Sequence, residues 1–163
     1  MITGRFGFVY IRGATQSLTN IATVGAYQTV ISDSINDAYL TKYNSYGSIV
    51  WSTYFGGEAN DIANDVYVDT SFNVFLEGTT KSMTGITDSL GNQDTLGGNS
   101  GAFIAKINLN GALEWSTYFG GDSSDVGTKL STDFHENVYL CGSTRSFDAI
   151  ASDSAFQTTL SGE

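Results

Sequence analysis

One cysteine, one histidine and few cations are the first constraints this sequence sets. With only Cys141 the chain cannot close an internal disulfide, and a lone thiol in a strand-like run reads as a passive small side chain rather than a nucleophile. His135 is the only imidazole, whereas a catalytic triad or a histidine-ligated metal site needs its histidine oriented by neighbouring partners. It stands in a short turn and is expected to be solvated. Lys and Arg number 7 against 17 Asp and Glu, a formal net charge of −10 that repels phosphate backbones and anionic lipid. Nucleic acid and membrane insertion are therefore excluded as expectations, and the acidity reads as a device for solubility. No apolar stretch approaches membrane-spanning length, and the opening Met1 to Arg5 lacks the basic-then-apolar shape of a secretory signal, so an export signal would lie outside these residues. There is no Cys-x-x-Cys, no phosphate-cradling Gly-x-Gly-x-x-Gly and no paired catalytic carboxylates. No reaction is supported, and the chain is not expected to be an enzyme.

What the sequence does have is 40% hydrophobic and 13% aromatic residues over 163 positions, enough for a core, and an internal repeat. WSTYFGG occurs at Trp51 to Gly57 and again at Trp115 to Gly121, an interval of 64 residues. The flanks keep that step. DAYLTKYN at Asp37 to Asn44 returns as GAFIAKIN at Gly101 to Asn108, and NVFLEG at Asn73 to Gly78 returns as NVYLCG at Asn137 to Gly142. A further partial copy, FVYIRG, opens the chain at Phe8 to Gly13. Each unit offers four short runs of period-two alternation bounded by Gly, Asn, Asp and Ser, which predicts an all-β fold. One complete set of four is predicted as strands near 62–69, 74–78, 101–107 and 113–119. Hairpins led by Asp69 or Asp133 and closed by Asn73 or Asn137 join the first strand to the second. On the fourth strand Ile49, Trp51, Thr53 and Phe55 share one face, as do Leu113, Trp115, Thr117 and Phe119, and the opposite face is predicted to be the wetter.

Four antiparallel strands per unit of this length describe a propeller blade better than a solenoid coil. The succession DAYLTKYN, WSTYFGG, a short acidic stretch, NVFLEG and then AYQT at Ala26 to Thr29 resembles the bacterial repeat called SBBP, for seven-bladed β-propeller. That resemblance covers essentially the whole chain. It implies a propeller fold and a large exported or cell-surface bacterial protein, hence an extracellular or cell-surface location. The chain departs from the family in having no proline, where SBBP repeats often carry one after the second strand. It shows Leu18 to Ile21, Met83 to Ile86 and Phe147 to Ile150 there instead. AYQT is kept as AFQT at Ala155 to Thr158 but becomes GNQD at Gly91 to Asp94.

The units divide as 1–17 (partial), 18–82, 83–146 and 147–163 (the start of the next). Counting strands gives nine, a partial β-propeller of about two and a quarter four-stranded antiparallel blades. Such a chain is expected to be a piece of a longer protein or to be completed by other copies of itself. In the second case the C-terminal strands of one copy would join strands at 37–55 of the next. Two acidic stretches follow the Gly-Gly pairs, and Asp61 and Asp125 are expected to brace the turn there, with no metal or cofactor required; the alternative is that they are calcium ligands. Trp51 and Trp115, on the apolar face of the fourth strand, are expected to pack in equivalent positions between blades; the alternative, if the chain is a lectin, is that Trp51, Tyr54, Trp115 and Tyr118 form a sugar-stacking surface. Lys42 and Lys106 recur at one strand position and are expected to form a repeated ion pair. The expected function is a structural or interaction module presenting loops to a protein partner or assembling with other copies; the alternative is a glycan-binding, lectin-like propeller with pockets between blades.

Overall fold

The computed structural model describes residues 1–3, 5–32, 35–88 and 90–161. Its strands are β1 (Ile2–Thr3), β2 (Val9–Thr15), β3 (Asp37–Tyr43), β4 (Ile49–Phe55), β5 (Asp61–Val68), β6 (Val74–Thr80), β7 (Gly101–Ile107), β8 (Leu113–Phe119), β9 (Asp125–Thr132) and β10 (Val138–Thr144). They form three antiparallel sheets: β1-β2-β3-β4, β5-β6-β7-β8 and the pair β9-β10. The fold is all-β, built of propeller-type blades, with the complete blade spanning 61–119 as the repeat predicts. One strand was not predicted. Ile2–Thr3 pairs with Val9 and Tyr10 and takes the first-strand place in the opening sheet, so the described residues hold ten strands rather than nine.

Local chemistry explains the hairpins. Phe72 and Glu136, each just before the closing Asn, sit at φ 69° and 64°, a left-handed conformation that costs a side chain about 1–2 kcal/mol. The leading Asp offsets that cost. Asp69 accepts from the Asn73 backbone and side-chain amides, both at 2.8 Å, and Asp133 does the same for Asn137 at 3.0 and 2.8 Å. These bonds pull the Asp133 carboxyl down to about 2. At the other hairpin of each blade the left-handed position is filled by Gly47 and Gly111.

The core lies in the seam between the first two sheets. Leu40, Phe55, Ala63, Leu76, Ile86 and Phe103 are buried in one cluster, with the Phe55 and Phe103 rings 5.0 Å apart. Alternation on β4 and β8 holds at Val50 and Glu114, which are exposed, but fails at Tyr54 and Tyr118, which are buried on the face expected to be wet. The covering element is the long connection between second and third strands. Gln28 donates its backbone N–H to Thr53 Oγ1, accepts from Tyr54 N–H and takes Gly56 N–H on its side-chain oxygen. Gln93 repeats all three bonds with Thr117, Tyr118 and Gly120. Each connection thus staples the outer edge of its blade without proline. Pairing in trans at 37–55 also meets an obstacle: β3 is already hydrogen-bonded to β2 on one side and β4 on the other.

Candidate functional site

The two Gly-Gly links close onto buried carboxylates. Asp61 Oδ2 accepts from Gly57 N–H and Ser82 Oγ, both at 2.8 Å, and Asp125 Oδ2 accepts from Gly121 N–H at 2.7 Å and Ser146 Oγ at 2.8 Å. Burial raises the Asp61 carboxyl above its ordinary range. Both residues are placed as braces that lock a fourth strand to the next blade. Their Oδ1 atoms have no hydrogen-bond partner among the described residues, and no group of three or more metal-ligating side chains occurs among them.

The four candidate stacking residues do not share a surface. Tyr54 and Tyr118 are buried, their hydroxyls donating to the carbonyls of Ser17 and Ser82. Trp51 is 7% exposed, lies against Gly111 and donates Nε1–H to the Leu109 carbonyl at 3.1 Å, so the β7–β8 turn of the next blade covers it. Trp115, expected to be equivalent, is only half-buried. Its cover would come from a turn in the third sheet that the described residues do not supply. The lysine pair separates for a similar reason. Lys106 bonds Glu136 at 2.8 Å and Glu114 at 3.3 Å, but the matching positions around Lys42 are Phe72 and Val50. Lys42 instead donates to the Leu109 carbonyl and rests 4.4 Å over the Phe8 ring, where burial lowers its pKa. An ion pair at both sites is therefore not what forms.

Strand ends arrange a surface that the repeat alone did not reveal. All hairpin turns of the blades fall at one end of the sheets, and there Phe6, Tyr46 and Phe134 are 79%, 92% and 82% exposed. Phe6 stacks on Phe72 at 5.7 Å, and Phe134 lies against exposed His135. Such aromatic exposure in a repeat with strong charge is a mark of an interaction surface. The signal was available in the sequence as aromatics inside turns. Elsewhere, Cys141 is exposed on β10 beside Thr128.

A buried acid marks the seam between the second and third sheets. Glu77 on β6 is fully enclosed, both its oxygens lack partners among the described residues, and it faces Gly127 on β9 so closely that any side chain there would strike it. Burial, with Asp65 adding to it against Arg12 and Lys129, pushes its carboxyl up to about 8.

Comparison with known proteins agrees with this architecture. Over 125 residues the chain is 23% identical to an uncharacterized WD repeat-containing protein of Acanthamoeba polyphaga mimivirus; the alignment covers 71% of this chain and 9% of that protein, so the chain spans less than a tenth of the relative's length. A family model described as the SBBP beta-propeller repeat matches residues 114–148, the stretch from β8 through β10. That match lies on one stretch of the chain, and the blades of four antiparallel strands agree with the β-propeller repeat it describes.

Proposed function

We propose that this chain is a protein-interaction module without catalytic activity, part of an exported or cell-surface bacterial propeller that presents its hairpin-turn end to a protein partner. The observation that carries this reading is the set of exposed aromatic side chains on the turns, Phe6, Tyr46 and Phe134, with the Tyr46 turn held by Asn44 and the Phe134 turn by Asp133. Rigid aromatics give large contact area at little entropy cost, and they are enriched at the centres of protein interfaces. The SBBP match and the WD-repeat relative support the same reading, because propeller repeats hold a fixed scaffold under variable loops. The glycan-binding alternative has less to stand on, since of its four stacking residues only Trp115 offers an accessible ring.

The test is a triple variant, Phe6→Ser, Tyr46→Ser and Phe134→Ser, compared with the unaltered chain for capture of proteins from a bacterial envelope fraction, alongside a glycan array. Retention of a protein partner by the unaltered chain alone, with a blank array, is expected. A glycan signal abolished by Trp115→Ala would replace this function with the lectin one.

A further inference from the structure

The seam between the first two sheets holds a cavity whose walls, β1-β2-β3-β4 and β5-β6-β7-β8, are both complete four-stranded sheets. It measures about 470 Å³ and lies at the hairpin-turn end, lined by Lys42, Val50 and Trp51 from the first sheet and by the β7–β8 turn, Leu109 to Gly111, from the second. Lys42 is the only charged residue in that lining among the described residues. The repeat shows what this lysine lacks. On β4 and β8 the register passes from Lys42–Trp51 to Tyr43–Ile49 and from Lys106–Trp115 to Ile107–Leu113, so Val50 and Glu114 are the extra residues of matching bulges. A bulge re-aims a side chain. In the second copy it brings Glu114 to 3.3 Å from Lys106 Nζ, with Glu136 at 2.8 Å, whereas the same two places beside Lys42 belong to Val50 and Phe72. Lys42 Nζ keeps one hydrogen bond, to the Leu109 carbonyl at 3.0 Å, and has the Phe8 and Tyr10 rings at 4.4 and 5.7 Å. It meets no carboxylate among the described residues. The residue is 5% exposed, so a desolvated ammonium faces the cavity without an opposite charge, and that burial is what lowers its pKa.

We propose that this cavity receives a carboxylate side chain, aspartate or glutamate, of the protein partner that docks on the turn end. The carboxylate takes the place that Glu114 and Glu136 fill at Lys106 and accepts from Lys42 Nζ, while its methylene stem lies against Val50 and Trp51. A charge-assisted bond in a partly dry site is stronger than the same bond in water, and it relieves a burial cost already present in the free chain. The net charge of −10 opposes an acid at long range, and the unpaired local cation overrides that at contact. The inference rests on the interaction function proposed above and names the chemistry of one contact within it.

The probes are N-acetyl-glutamate N-methylamide, its glutamine counterpart and propionate, each titrated into the full chain while side-chain NMR follows the lysine Cε–H and tryptophan indole signals. Saturable shifts at Lys42 and Trp51 with the blocked glutamate, none with the blocked glutamine and none at Lys106 are expected. Val50→Glu supplies in cis the carboxylate that Glu114 gives Lys106, at a position 46% exposed, so the variant should melt no lower than the unaltered chain yet bind the blocked glutamate about tenfold more weakly or worse. Lys42→Met should abolish the Trp51 shift. Absence of saturable shifts, an equal response to the blocked glutamine, or binding indifferent to Val50→Glu overturns the proposal. Propionate bound while the blocked glutamate is not would give the cavity to a free organic acid and overturn the partner side chain. None of these outcomes depends on Phe6, Tyr46 or Phe134, so the turn-end aromatic surface stands or falls separately by the triple variant.

Discussion

Glu77→Gln separates charge from shape at a fully buried acid. The unperturbed glutamic acid titrates near pH 4.3, while the folded chain holds Glu77 protonated up to about 8, so the folded state binds more protons than the unfolded one between those values. The contribution of Glu77 to stability is therefore fully present below about pH 4 and falls as pH rises through that window, reaching a plateau above about 8. At 1.36 kcal/mol per unit, the loss by pH 7 is on the order of 3–4 kcal/mol. The physical cause is a carboxylate that would have to ionise with no donor to either oxygen, against the backbone of Gly127. Glutamine keeps the volume and never ionises. Urea unfolding at pH 5 and pH 8 should show the unaltered chain weakening by several kcal/mol relative to Glu77→Gln, with the two nearly equal at pH 5. Parallel pH profiles for both proteins would refute the assignment, as would Glu77→Gln being the less stable at pH 8.

Trp51→Ala should cost roughly 3–5 kcal/mol as a large core truncation, and Trp115→Ala clearly less because its ring lacks a cover; equilibrium unfolding of both variants decides the order. Asp125→Ala should lower stability by about 1–3 kcal/mol by stranding the Gly121 amide and the Ser146 hydroxyl. Added calcium should leave the melting temperature of the unaltered chain where it is, and a rise abolished by Asp125→Ala would make the brace a metal site. Gly127→Ala should destabilise at every pH, since its methyl group would strike Glu77, whereas the double variant with Glu77→Ala should recover most of that loss.

The strands and their turns were legible because each is written twice at a fixed interval, with Asp and Asn where the backbone turns left-handed. What escaped was set by contacts between units. Ile2–Thr3 is too short to show a period and becomes a strand only by pairing with Tyr10 and Val9. Tyr54 and Tyr118 are buried by glutamines some 25 residues away, which no alternation within β4 or β8 can register. Lys42 and Lys106 occupy one position in the repeat but see different neighbours, because acids at 114 and 136 are Val50 and Phe72 one unit earlier. The two Trp diverge for the same reason, as the cover of each belongs to the following blade. Glu77 reads in sequence as an ordinary polar residue on an alternating strand, and only the approach of Gly127 from β9 makes it a buried acid.

Residue-resolved amide hydrogen exchange tests the stack of blades and its open edge together. The account predicts slow exchange along β2-β3-β4 and β5-β6-β7-β8, including Tyr54 and Tyr118, whose amides are held by Gln28 and Gln93, and fast exchange for the β10 amides that face away from β9. Protected outward amides on β10 in the isolated chain, or rapid exchange at Tyr54 and Tyr118, would contradict it.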